Sequence, residues 1–148
     1  MDIMNRRRLV ILIVIAVMFA ALLPISTLTA PEWSVCVLDE SGNPAANVLV
    51  RESYENYSAE FEGNEEDLYT DTKGCVFFLP KRVRSSLLKR FGAIISSAMS
   101  GAHASFGPHS NVTAFQGKQR GDDVRRGLLF TWEGSPAHMS SVLRLQNQ

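Results

Sequence analysis

The sequence predicts a mostly β protein: an antiparallel β-sandwich of about 7–8 strands, with one added helix over about 82–99 and an apolar helix at the N-terminus. Three observations predict it. Val35 and Val37 alternate with Ser34 and Cys36, and Val48 and Val50 with Leu49 and Arg51, on either side of Gly42-Asn43-Pro44. Alternation marks strands with one buried face, and Gly-Asn-Pro is turn chemistry. Short apolar runs bounded by turn signals then recur along the chain. Only one later stretch, Val83, Leu87 and Phe91, has helical spacing.

At the N-terminus, Arg6-Arg7-Arg8 precede an uninterrupted apolar run from Leu9 to Leu23. Cations followed by an apolar run are the layout of a secretory signal. Residues 1–30 therefore read as a signal peptide, or as an uncleaved signal-anchor. Leu9 to Leu28, as helix, would reach roughly 30 Å, the thickness of a bilayer core. Pro24 favours a shorter helix, and cleavage after Thr29, with Thr27 at −3, is the best available site. Both readings put the remainder outside the cytoplasm: single-pass membrane with the C-terminal domain extracytoplasmic, otherwise periplasmic or secreted.

The 148 residues carry 15 Lys+Arg and 15 Asp+Glu, and those beyond residue 30 carry 12 against 14. A balanced, mildly acidic domain excludes the electrostatic footprint of a nucleic-acid partner. Residues 33–146 are long enough for one domain with its own core.

Along that domain, Trp33–Leu38 is the first strand and Val48 to Glu52 the second. The acidic stretch from Glu55 to Asp67 reads as a solvated loop, its spacing matching no calcium motif. Leu68-Tyr69-Thr70 is a short third strand, and Asp71-Thr72-Lys73-Gly74 fits a type I turn. Cys75 to Leu79 is a fourth strand stopped by Pro80. The helical stripe follows, with Lys81, Arg82, Arg84, Lys89 and Arg90 in its first half. Such a helix either lies on a sheet or binds a membrane surface. The expected packing lays Val83, Leu87 and Phe91 over an apolar outer face made by Leu38, Phe77 and Leu79. Ala102–Phe106, Asn111–Gln116, Leu128–Trp132 and Met139–Leu145 are further strands, with 117–127 a polar loop.

The runs VCVLDESGNPAANVLV and YTDTKGCVFFLP resemble the carboxypeptidase regulatory-like domain, a branch of the transthyretin-like sandwiches. The shared pattern is a strand ending in Asp, an x-S-G-x-P turn, a Val-rich strand, then T-D-x-x-G before an aromatic strand. The resemblance covers residues 33–80 well, 102–146 weakly and 81–100 not at all. It implies a fold and no activity. The hydroxyisourate hydrolases of the wider fold end in Tyr-Arg-Gly-Ser, which this chain lacks. In a transthyretin-like arrangement the first and fourth strands are neighbours, which implies a disulfide between Cys36 and Cys75; free structural thiols are the alternative. A catalytic thiol would need a basic partner that the sequence does not supply.

His103 and His109 flank a turn and offer, with Asp122 or Asp123, the one candidate metal constellation; with His138 they also read as ordinary surface histidines. Asn56-Tyr57-Ser58 and Asn111-Val112-Thr113 are glycosylation sequons. No catalytic motif is present. The expectation is a non-catalytic exported or membrane-anchored module, without cofactor or metal, acting through binding or structural contacts with an unknown protein or envelope partner. The membrane would be met through the N-terminal helix if uncleaved. The alternative is a small enzyme or metal-binding protein using His103 and His109.

Overall fold

The computed structural model describes residues 3–123 and 131–147. In chain order the elements are α1 (Ile3–Leu22), β1 (Pro24–Ala30), β2 (Glu32–Leu38), β3 (Leu49–Asn56), β4 (Asn64–Tyr69), β5 (Cys75–Phe78), β6 (Lys81–Ser86), α2 (Leu87–Met99), β7 (Pro108–Gln116), β8 (Gln119–Asp123), β9 (Thr131–Trp132) and β10 (His138–Asn147). Eight strands form one sheet in the order β4-β3-β7-β8-β10-β2-β5, with β9 beside β7. The sheet curls into a nearly closed barrel, and β1 and β6 form a separate antiparallel pair. The fold is mostly β, as expected, but the ladder is not purely antiparallel: β10 runs parallel to β2.

Inside, alternate residues of the strands interdigitate. Trp33, Val35 and Val37 of β2 meet Phe78, Leu143 and Leu145, and Val48, Val50, Val112, Ala114 and Trp132 complete the core. The polar edges of the two buried indoles are satisfied: Trp33 Nε1 donates to Ser141 Oγ at 3.0 Å, and Trp132 Nε1 to the Pro136 carbonyl at 2.6 Å.

The turn motifs explain themselves locally. Asp39 Oδ1 accepts from the Asn43 amide at 2.8 Å while Gly42 takes φ +86°. Asp71 Oδ1 accepts from the Lys73 and Cys75 amides at 2.9 Å each, with Gly74 at φ +75°. The two turns are packed on each other. A Cβ on Gly74 would lie 2.8 Å from Ala45 N and 2.9 Å from the Val37 carbonyl, so only glycine fits. Thr70 ties in the next residue: its hydroxyl donates to the Ala45 carbonyl at 2.7 Å and accepts from Val48 N at 2.9 Å.

Several expectations are corrected. The N-terminal helix does not reach Leu28: it ends at Leu22 and the chain becomes strand at Pro24. Proline removes a helical donor, and the β-branched Ile25, Thr27 and Thr29 favour extended backbone. The apolar helical part, Leu9 to Leu22, is then about 21 Å long at 1.5 Å per residue, short of the bilayer core. No helix among the described residues is long and apolar enough to cross a membrane, so single-pass anchoring is not supported. Thr29 and Ala30 are buried, and β1 is part of the folded body.

The helix expected over 82–99 starts later. Residues 81–86 are strand β6, paired in register with β1 (Pro24↔Ser86, Val83↔Thr27). Once β1 offers a partner, the alternation in Lys81–Ser86 wins over the helical spacing of Val83. Ser86 ends the strand and caps α2, its hydroxyl accepting from Lys89 N at 3.3 Å. The pairing with β1 also carries α2 away from Leu38, Phe77 and Leu79. Phe77 and Leu79 stay exposed, and so do Leu87 and Phe91, so the expected cover does not form.

The acidic stretch is strand from Asn64 onwards. Arg51 holds Glu65 at 2.9 Å and Asp67 at 2.8 Å on the outer face, and Lys81 holds Glu66 at 2.7 Å on the inner one. Cross-strand cations turn what looks like loop composition into a ladder. Residues 101–103 form a short 3-10 turn instead of opening a strand over Ala102–Phe106. Part of the expected 117–127 loop is β8, returned onto β7 by a tight turn at Gly117, φ +58°. Residues 124–127 of that loop, and Leu128–Phe130 of the expected strand, lie outside the described residues.

Candidate functional site: a polar cleft on the outer face of β3

In β3, even-numbered residues face the barrel and odd-numbered ones face out. The ladder places Ser53 opposite both Glu65 of β4 and Asn111 of β7, and Glu55 opposite His109. These side chains share the outer face. Tyr54, Tyr57, Gly63 and Asn64 complete a cleft of about 300 Å³ at the end of the sheet.

Tyr57 is held by a compact loop centred on Asn56. The Asn56 carbonyl accepts from Ala59 and Glu60, its side-chain Oδ1 accepts from Ser58 N at 3.1 Å, and Glu60 Oε2 accepts from Asn56 N at 3.0 Å. Tyr57 N donates to the Gly107 carbonyl at 2.9 Å, and Gly107 N to Ser58 Oγ at 2.9 Å. The ring of Tyr57 meets His109 edge-on, with centroids 5.1 Å apart and planes at 72°. His109 Nε2 lies 3.8 Å from Glu133, and its buried Nδ1 has no hydrogen-bond partner among the described residues.

Burial raises the Glu55 pKa, and the nearby Glu60 adds to the rise while His109 opposes it. Burial, then the Glu55 charge, raises the Tyr57 phenol. A Cβ at Gly63 would sit 3.2 Å from Glu55 Oε2, so the carboxylate would have to give by a few tenths of an ångström.

Behind the cleft lies an interior that holds ionisable groups. Glu52 is fully buried, and its pKa is pushed up to about 7, by burial first and by Glu66 as well, with Lys81 and the Ser110 hydroxyl opposing. Ser110 Oγ donates to Glu52 Oε1 at 3.3 Å, and Oε2 has no partner among the described residues. Burial works most strongly against the Lys81 charge, but the bond and attraction to Glu66, with the attraction to Tyr54 and Glu52, together outweigh it and raise its pKa. Lys81, Tyr54 and Asn64 line a second cavity of about 310 Å³, between β3–β4 and the β1–β6 pair, with Thr29, Glu60 and Arg82.

Of the residues singled out by sequence, Cys36 and Cys75 face each other in the β2–β5 register and are joined in a disulfide. His109 is in the cleft. The side chains of His103, Asp122 and Asp123 lie outside the description, and His138 pairs with Glu32 at 3.2 Å at the start of β10. No group of three metal-ligating side chains occurs among the described residues. Asn56 of the first sequon is buried and engaged in its own loop, which gives that triplet a structural role. Sequence reasoning missed Tyr54, Tyr57, Glu55, Asn64 and Asn111 as a group. The odd-residue register of β3 would have grouped Glu55 with Ser53, but their neighbours on β4 and β7 come only from the topology. No family model matches this chain, and no curated protein matches it.

Proposed function

We propose that this chain is a non-catalytic binding module of an extracytoplasmic compartment, built on a transthyretin-like sandwich of the carboxypeptidase regulatory type, and that its β3 cleft takes a hydroxyl-rich saccharide. The observation that carries the reading is the composition of the cleft. The Tyr57 ring offers an apolar face, while Asn111, Ser53 and Glu55 offer both donors and acceptors beside it. That mixture suits a ligand with C–H faces and many hydroxyl groups. Glu55 and Glu65 make the cleft favour neutral or amino sugars over uronates and phosphates. The Cys36–Cys75 disulfide supports an oxidising compartment, where such ligands are displayed. The packed x-S-G-x-P and T-D-x-x-G turns support the family reading.

Saturation-transfer NMR on the oxidised chain, with neutral, amino and uronic oligosaccharides, tests it. Transfer to neutral or amino sugars, lost in Tyr57→Ala and Asn111→Ala, is the expected result. Absence of transfer to every sugar, or transfer unchanged in both variants, would overturn the saccharide reading.

A further inference from the structure

Helix α2 is amphipathic, but it is mounted the wrong way round for a water-soluble surface. The side that holds it to the protein is polar or small. Arg90 donates to the Ile25 carbonyl at 3.0 Å, Thr27 Oγ1 at 2.9 Å and the Ser85 carbonyl at 3.3 Å. Ala93 is buried, and Ser97 Oγ donates to the Tyr57 carbonyl at 3.0 Å. The side turned outward carries Leu88, Phe91, Ile94, Ile95 and Met99, with Phe91 64% and Met99 83% exposed. A surface helix of a soluble domain places its apolar stripe inward.

Helix α1 adjoins α2 and is apolar all round beyond Arg8, with its large side chains from Leu9 to Leu23 exposed. The segments that build this face are cationic, although Lys81 is held by Glu66 and Arg90 is turned to the protein. Residues 3–30 and 81–100 hold eight of the 15 cationic residues and none of the 15 acidic ones. Arg6, Arg7, Arg8, Arg82, Arg84 and Lys89 are exposed.

We infer that the α1–α2 face is a membrane-docking surface, seated in the hydrocarbon–headgroup boundary of a bilayer containing anionic lipid. A second copy of the chain would cover one side of α1 and leave the rest wet, whereas lipid surrounds it. Unpaired guanidinium and ammonium groups beside apolar side chains match phosphate headgroups above acyl chains. The apolar part of α1 enters without spanning, since about 21 Å of helix is shorter than the roughly 30 Å hydrocarbon core. The Arg90 and Ser97 bonds hold α2 in the same plane. Ser97 bonds the carbonyl of Tyr57, a residue that lines the β3 cleft.

The test is flotation of the full oxidised chain with vesicles of pure phosphatidylcholine and of an equimolar mixture with phosphatidylglycerol. Wild type is expected to float with both and more strongly with the mixture. Phe91→Asn/Ile95→Asn, with α1 intact, should lower partitioning at least about tenfold on both. Replacing Arg6, Arg7 and Arg8 by Gln should cost of order a hundredfold on the anionic vesicles alone, at about fivefold per residue. A nitroxide on Phe91→Cys should be shielded from an aqueous relaxant by vesicles, while one on Lys118→Cys should not; this reading survives if the double variant folds poorly. An α2 double variant that folds and floats like wild type, or a label at 91 that stays water-exposed on vesicles, would overturn the proposal. So would a lipid-free dimer that the α2 substitutions dissociate and that does not float.

Discussion

The ammonium of Lys81 lies 2.7 Å from Glu66, the residue that faces the fully buried Glu52 across the β3–β4 ladder. Two carboxylates thus share one interior with a single lysine bonded to the outer of them. The Glu52 pKa, about 7 against an ordinary 4.5, is raised first by burial and to a lesser degree by Glu66. A raised carboxyl is protonated in the folded state after it has ionised in the unfolded one. Its contribution is therefore fully present below pH 4.5, falls as pH rises towards 7 and is constant beyond. The loss is at most about 3 kcal/mol. Glu52→Gln is expected to flatten the fall, so that thermal unfolding at pH 8 shows the variant more stable than wild type and at pH 5 does not. Parallel curves from pH 5 to 8 would contradict it.

The disulfide closes a loop with a sequence separation of 39. Its removal in Cys36→Ala/Cys75→Ala should cost roughly 3–4 kcal/mol through unfolded-state entropy. Urea unfolding with and without reductant measures this, and thiol labelling without reductant should leave both cysteines unmodified.

Gly74 and Gly117 both have positive φ but differ in room. A side chain at Gly74 strikes backbone at 2.8 Å, whereas Gly117 has nothing within 4 Å. Gly117→Ala should cost about 1 kcal/mol from backbone conformation alone. Gly74→Ala should cost several-fold more, because two packed turns must part. Denaturant midpoints compare the two directly.

Asn56 is buried where a sequon would need it exposed. Asn56→Ala should cost about 1–3 kcal/mol by orphaning the Ser58 amide and loosening the Tyr57 loop. Expression in a glycosylating host should give protein without a glycan at Asn56, read by peptide mass.

Leu87→Asp, which would cost several kcal/mol if the helix covered the β2–β5 face, should change lipid-free stability by no more than about 0.5 kcal/mol at an exposed position. A large loss would restore the cover that the structure does not show.

How much was legible depends on the range of each interaction. Alternation identified β2 and β3 because one buried face leaves a mark on every second residue, and short apolar runs bounded by turn signals identified β5, β7 and β10. Asp39, Gly42, Asp71 and Gly74 announced their turns because side chain-to-backbone bonds and positive φ act within four residues. Only the end of β4, Leu68-Tyr69, was legible, and its acidic start and the basic β6 were hidden because their strand character comes from Arg51 and from β1, which are distant in sequence. In the cleft, His109 stood out by residue type alone.

By itself, the sequence determined a mostly β domain with paired turn motifs, an apolar N-terminal helix, and two cysteines on the outward sides of their strands. Only the tertiary structure decided that β1 captures residues 81–86, that α2 turns its apolar side out, and that Tyr57, Glu55 and His109 share a cleft. The physical reason is that ladder partners and helix orientation are set by contacts between segments far apart in the chain. Neither periodicity nor local turn chemistry encodes which of the available partners an edge will take.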